Sequence, residues 1–379
     1  MKIAILSPWT VKPNSVGGTE RFVIDLAESF VNANNKVDVY MLAGEEYKKN
    51  GVKYKSIDLF DGMKSVDEYF LKKEFDNFNS KKSFKDLAKR IEKKVSFEEY
   101  EMIQLNSQLF LKVAEKNKRV FTIHTNPFEY QLDWGEKSFN IMLELMKKEK
   151  NNTNTYFVTP SIHYANIYNE LAGIKIDFIP HAIDISRLST NKDKMTIYEE
   201  MGIDKNKKVI LLPSRLEPIQ KQPMLFIKAF ARQSVEIKSK YKVICTGADK
   251  QYEQFKQEIL DFCNENNIDI LIKRFDQMAD GYKAADIVML PSKSESFGYS
   301  ALEALSLGIV TILNEIPTYM EIVDGAINCY TFANTEDALY EVLNKVLEKN
   351  LDRKEQSKDW KDKYSINQFY RKYLELESE

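Results

Sequence analysis

Apolar and polar positions along the chain change period many times. Residues 2–6 form a short apolar run of the kind a buried strand makes. Residues 19–30 then place Phe22, Val23, Leu26, Ala27 and Phe30 at helical spacing, and 37–42 is a second strand-like run. That order predicts a parallel, doubly wound sheet. Further strands are expected at 102–105, 120–123, 156–158 and 175–179, with helices at 111–115 and 138–148. Together they make a first α/β domain over 1–184. A second series has strands at 209–212, 242–246, 268–273, 287–291 and 310–313, and helices at 223–231, 251–264, 299–307 and 336–348. It makes a second α/β domain over 185–365, and the polar stretch 186–208 suits a linker. The last segment, 366–379, repeats apolar residues at helical spacing and is predicted to pack back on the first domain.

Composition narrows the class. The 379 residues are 43% hydrophobic and 30% charged, with a formal net charge of −2. Such a chain builds globular cores and lacks the basic excess of a nucleic-acid binder. Cys245, Cys263 and Cys329 are too few and too scattered for a disulfide framework or a zinc site, which points to a reducing compartment. No apolar run approaches the length of a membrane span, and the opening run is too short for a signal peptide. A cytoplasmic location is expected.

Four segments carry candidate chemistry. In Pro291-Ser-Lys-Ser-Glu295-Ser-Phe-Gly298-Tyr-Ser-Ala-Leu-Glu303 a strand ends, a loop follows and a helix starts near Gly298. Free N–H groups at such a start hold phosphate. Glu295 and Glu303 lie too far apart to share a proton and suit hydroxyl recognition at two points of an extended ligand. In Arg215-Leu-Glu-Pro-Ile-Gln-Lys221 two cations follow a strand, where α/β sheets bind ligands, and can neutralise a diphosphate. Gly17-Gly18 lets backbone approach a ligand closely, although it is not the GxGxxG of dinucleotide sites. His124 stands at the end of the strand 120–123. Each has a plain alternative: a solvated glutamate, a basic loop, a turn, a structural histidine.

Taken together the four segments resemble the retaining glycosyltransferases of family 4. The resemblance also includes Ile179-Pro-His-Ala-Ile-Asp184, the segment 284–292, and 316–325. It implies the GT-B fold, two Rossmann-like domains facing a central cleft, and transfer of a sugar from a nucleotide diphosphate donor with retained configuration. It assigns Arg215 and Lys221 to the diphosphate, Glu303 to the ribose and Glu295 to the donor sugar. Backbone amides at Phe297, Gly298, Tyr299 and Ser300 would touch sugar or phosphate. Gly17 and Gly18 would lie against the phosphates, His124 near the reacting carbon, and Lys273, Arg274 and Phe275 beside the base. UDP-sugars are the commonest donors in such families, so a UDP-sugar is the expected substrate. No cofactor and no metal is implied, and no Asp-x-Asp motif occurs. The chain departs from the family pattern at His181-Ala182, at Ile309 and at Asn314-Glu315.

The acceptor is expected to be a glycan, a lipid-linked sugar or a protein. Residues 71–94 are dense in Lys and Arg with Phe75, Phe78 and Phe84 among them, a composition that docks on the anionic inner face of a plasma membrane. Glu74, Asp76, Asp86 and Glu92 dilute that charge, so a solvated helical face is the plain alternative. Two other functions fit the same residues: a non-catalytic nucleotide-sugar binding subunit, and a nucleotide-sugar epimerase of the same fold.

Overall fold

The computed structural model describes residues 1–13, 17–59, 80–247, 250–275, 277–349 and 351–376. The chain forms two compact units, Met1–Ala182 together with Tyr364–Glu379, and Ile183–Lys363. In the first unit the described strands are β1 (Lys2–Ser7), β2 (Lys36–Met41), β3 (Tyr47–Lys49), β4 (Val52–Ser56), β5 (Met102–Leu105), β6 (Arg119–Thr122), β7 (Thr155–Thr159) and β8 (Asp177–Phe178). They form one sheet in the order β3-β4-β2-β1-β5-β6-β7-β8. The β3–β4 pair is antiparallel, and the other described pairs are parallel. The chain starts in the middle of the sheet, winds out one way, and returns to β1 to wind out the other way.

Alternation within β1 explains its continuous apolar reading. Ile3 and Ile5 face a cluster with Val37, Val39, Phe22 and Leu26, whereas Ala4 and Leu6 face another with Ile103 and Phe121. A parallel sheet covered on both faces has no polar side to show. The helix Ile366–Glu375 begins at Ser365, whose side chain accepts the Gln368 N–H. Its Phe369 meets Phe22 edge to face at 5.7 Å, and Tyr373 Oη lies 3.0 Å from Thr122 Oγ1. The helix Ile366–Glu375 is thus part of the first unit's core.

The second unit holds β9 (Lys208–Leu212), β10 (Tyr241–Cys245), β11 (Ile270–Ile272), β12 (Ile287–Leu290), β13 (Val310–Asn314) and β14 (Cys329–Phe332). Their order is β11-β10-β9-β12-β13-β14, and the described pairs are parallel. Here too the first strand is central. The order reverses between β9 and β12, and doubly wound sheets bind ligands beyond the carboxyl ends of the strands at such a point.

Several sequence expectations need correction. Residues 111–115 are not a helix. A short 3-10 turn, Gln108–Phe110, ends before them, and Ala114 takes φ +53°. The buried Arg119 guanidinium donates to the carbonyls of Leu111 (3.1 Å) and Val113 (3.2 Å), groups that a helix would have used itself. Residues 186–208 are not a linker either. They contain the helix Lys194–Met201, capped by the Asp193 side chain on Thr196 N–H and closed by Gly202 at φ +63°. Ile197 and Tyr198 are buried, and Lys194 Nζ pairs with Asp286 Oδ1 at 2.6 Å. The expected strand at 175–179 is reduced to two paired residues.

Within the basic stretch, residues 71–79, including Phe75 and Phe78, lie outside the described residues. The rest forms the helix Lys81–Lys94, with Lys82, Lys85, Lys89, Arg90, Lys93 and Lys94 exposed. Phe84 is fully buried with Leu87 and Ile91, so it serves the core and not a lipid-facing surface. Among the described residues no helix is long and apolar enough to cross a membrane.

Candidate functional site

β9 and β12 run side by side, with Ile287 opposite Ile210 and Val288 opposite Leu211. The loops leaving their carboxyl ends carry the basic pair and the first glutamate. Two hydrogen bonds stitch these loops together, and a third ties the glutamate loop to β13. Lys293 N–H donates to Gln220 O (2.7 Å), Ser300 Oγ to Pro213 O (3.1 Å), and Asn314 Nδ2 at the end of β13 to Ser292 O (3.0 Å). Asn314 and Ile309, both departures from the family pattern, thereby acquire a reason. Asn314 braces the glutamate loop, and Ile309 donates its N–H to Ala304 O, which a proline could not do.

The basic loop organises itself around a carboxylate. Glu217 accepts the N–H groups of Ile219 (3.1 Å), Gln220 and Lys221 (3.2 Å). Gln222 then takes φ +47°, and Pro223 opens the helix Pro223–Ala231. This turn delivers Lys221 Nζ to 2.7 Å from Glu295 Oε1, with side chains only 12% and 17% exposed. Such an ion pair holds its geometry better than a surface pair. Arg215, six positions earlier, is exposed. Its backbone path depends on Gly247, beyond β10, where a Cβ would sit 2.6 Å from Arg215 Cα and 2.3 Å from Leu216 N.

The helix Tyr299–Ser306 starts at Gly298, whose φ is +109°. A Cβ there would be strained and would lie 2.7 Å from Tyr319 Cε1. No side chain caps Gly298, and the positive end of the helix dipole lies at this start, where an anion is favoured. Phe297 is buried with its ring 5.3 Å from that of Tyr299. Glu303, one turn on, is only 5% exposed, so it is not a solvated helix residue. Its Oε2 accepts the Tyr282 hydroxyl at 2.5 Å. Tyr282 sits on the helix Met278–Ala284, and Arg353 ties down its carbonyl at 2.6 Å.

Arg274 and Phe275 follow β11 at the far edge of the sheet. Arg274 is exposed, whereas the Phe275 ring is buried against Gly281. Lys273 N–H donates to Cys245 O at 2.9 Å, and its ammonium lies 5.7 Å from the Phe275 ring.

The remaining candidates belong to the first unit. Gly17 caps the helix Gly18–Asn32 at φ −69°, so this glycine pair is not needed for a left-handed turn. His124 follows β6. Its ring stands edge-on to Phe22 at 4.5 Å and 5.4 Å from the ring of His181, and its Nε2 lies 3.4 Å from Asn106 Oδ1. Burial pushes the His124 pKa down to about 3. Burial, with His124 beside it, also holds His181 well below the usual histidine range. Both rings are neutral at pH 7. His181 fills core space against Phe22 and Phe369.

The structure therefore brings Lys221 onto Glu295, and Gly298 and Ser300 onto the same pair of loops. Glu303 has its own anchor one helical turn away. Sequence reasoning missed Glu217, Gly247, Tyr282 and Tyr319. No spacing rule reveals the two tyrosines, since each comes from a different helix, but Gly247 directly after a strand was a readable sign of close backbone approach.

Residues 193–363, all in the second unit, match the family model of the Glycosyl transferases group 1. The chain is similar to the D-inositol 3-phosphate glycosyltransferase of Segniliparus rotundus, 26% identical over 38% of this chain and 32% of that protein. The match thus spans about a third of the length of the first such relatives. It is also similar to an uncharacterized glycosyltransferase of Methanocaldococcus jannaschii, 23% identical over 92% of this chain and 89% of that one. The solved structure of Anabaena HepE in complex with UDP and glucose superposes with a TM-score of 0.73 at 18% identity, covering 100% of this chain and 99% of that one. The fold is GT-B, built from two parallel-sheet α/β units.

Proposed function

We propose that this chain is a retaining glycosyltransferase that moves a sugar from a nucleotide diphosphate donor, a UDP-sugar, to an acceptor hydroxyl. The observation that carries this reading is the Lys221–Glu295 pair, 2.7 Å apart at the point where the strand order of the second sheet reverses. A cation and a carboxylate so placed suit the two ends of one ligand, a diphosphate and a sugar hydroxyl. A UDP-glucose or UDP-glucose-like donor is supported by HepE, a protein of the same fold solved with UDP and glucose.

In the reaction the bond between the anomeric carbon and the diphosphate oxygen breaks, and the acceptor oxygen bonds to that carbon on the same face. The acceptor proton passes to a phosphate oxygen. Negative charge grows on the leaving diphosphate, where Arg215, Lys221 and the start of the helix Tyr299–Ser306 would stabilise it without a metal. Glu303 holds the ribose and Glu295 the sugar. His124 is neutral at pH 7 and its pKa near 3 makes it a poor base, so its role is to position and polarise. Gly17 and Gly18 would supply backbone against the phosphates.

The acceptor is a glycan, a lipid-linked sugar or a protein. The exposed lysines of the helix Lys81–Lys94 favour work beside an anionic membrane, and co-sedimentation with anionic liposomes at low salt checks this. The function itself is tested by incubating the chain with UDP-sugars and candidate acceptors and weighing products by mass spectrometry. Transfer that survives EDTA is expected. Nucleotide binding without turnover would instead make the chain a binding subunit.

A further inference from the structure

Glu295 Oε1 has two donors of opposite character. One is Lys221 Nζ at 2.7 Å, a charged group on a flexible stem. The other is Tyr319 Oη at 3.2 Å, a neutral group on a rigid ring. Tyr319 is fully buried on the helix Pro317–Val323, and its ring lies where any side chain at Gly298 would have to go. The same ring therefore sets the start of the helix Tyr299–Ser306 and aims a hydroxyl at the glutamate. Burial and the charge of Glu295 hold that phenol above its ordinary pKa, so it stays a donor at any physiological pH.

The two donors cannot behave alike when a diphosphate arrives. Phosphate oxygens carry more charge than one carboxylate and draw the lysine toward themselves. A glutamate that lost its chief partner would regain rotamer freedom, and the sugar would have to freeze it again. Tyr319 cannot follow the diphosphate, because its ring is wedged against Gly298. Resting on the donor site proposed above, we infer that Tyr319 is the positioning residue for the sugar grip. Its hydroxyl keeps Glu295 aimed at the donor sugar while Lys221 turns to the diphosphate. Glu303 has a parallel brace in Tyr282, which is likewise buried and donates to one carboxylate oxygen. In this chain each glutamate of the pair thus carries its own tyrosine.

The test separates the sugar from the nucleotide. Titration calorimetry would compare UDP with UDP-glucose, UDP-galactose and UDP-N-acetylglucosamine on the full chain. Tyr319→Phe keeps the ring against Gly298 and removes only the hydroxyl. UDP affinity is expected to stay within about twofold of wild type, while the tightest UDP-sugar weakens by about tenfold, as loss of a hydrogen bond to a charged group implies. In a Glu295→Ala background the same substitution should change neither ligand. Equal weakening of UDP and UDP-sugar, or no weakening of either, overturns the inference. So does a collapse of the melting temperature with loss of UDP binding, which would make the hydroxyl a folding element. A wild-type chain that binds UDP but gains nothing from any sugar also overturns it. A wild-type chain that binds no nucleoside diphosphate overturns the proposed function instead.

Discussion

The two units hold their candidate residues by different physics. In the second, polar side chains and backbone groups are bonded to each other across loops. Lys221 meets Glu295, Glu217 gathers three N–H groups, and Tyr282 and Tyr319 each donate to a glutamate. In the first, half-buried His124 is held mainly by the rings of Phe22 and His181. The contrast separates two tasks. A network of fixed charges and dipoles suits a ligand whose charge changes during reaction. A neutral ring in an apolar frame suits contact and shape. The family model matches residues within the second unit alone, where the network is.

Breaking the network should cost most. Lys221→Ala or Glu295→Ala should lower kcat/KM for transfer by about 10³-fold, the scale of removing one group that stabilises a transition state, with the chain still folded by circular dichroism. If both variants keep full activity, the network is structural. Next comes Glu303 with its anchor. Tyr282→Phe should weaken UDP by about tenfold, and UDP-sugar by the same factor, because ribose is common to both ligands. Unequal losses would move Glu303 to the sugar.

The first unit should respond less and in another manner. His124→Gln is expected to reduce turnover by about tenfold, within the modest range of a single positioned group, and to leave UDP binding intact. Its pH signature sharpens the comparison. The folded pKa lies near 3 and the unfolded value near the ordinary 6.5, so between them the unfolded chain binds the proton and the folded chain does not. Stability is therefore lost as pH falls below 6.5, and thermal melts from pH 7 to pH 4 should show His124→Gln losing less than wild type. A variant that falls in parallel with wild type would contradict the lowered His124 pKa. The smallest effect expected is Asp193→Ala, which removes one helix cap and should cost about 1 kcal/mol with no change in activity.

Much of this arrangement was legible because apolar periodicity and loop chemistry agree. β1, the helix Gly18–Asn32 and the helix Pro223–Ala231 follow from spacing, and Lys221 and Glu295 could be picked out as candidates from their place in loops after strands. The rest was hidden for particular reasons. The helix Lys194–Met201 has only Ile197 and Tyr198 as buried anchors, so its polar surface reads as a linker, although Asp193 and Gly202 are ordinary cap signals. Residues 111–115 have helical residues, but Arg119, distant in shape though near in sequence, claims their carbonyls. Phe84 reads as an interleaved aromatic until the helix Lys81–Lys94 turns it inward. Tyr282 and Tyr319 reach the glutamates only through folding, since 21 and 24 residues separate the partners.

The most direct measurement is a crystal structure of the chain with UDP bound. The diphosphate should lie within hydrogen-bond reach of Lys221 and Arg215 at the start of the helix Tyr299–Ser306, with the ribose hydroxyls on Glu303. UDP found away from these residues, at concentrations that saturate the chain in solution, would contradict the account.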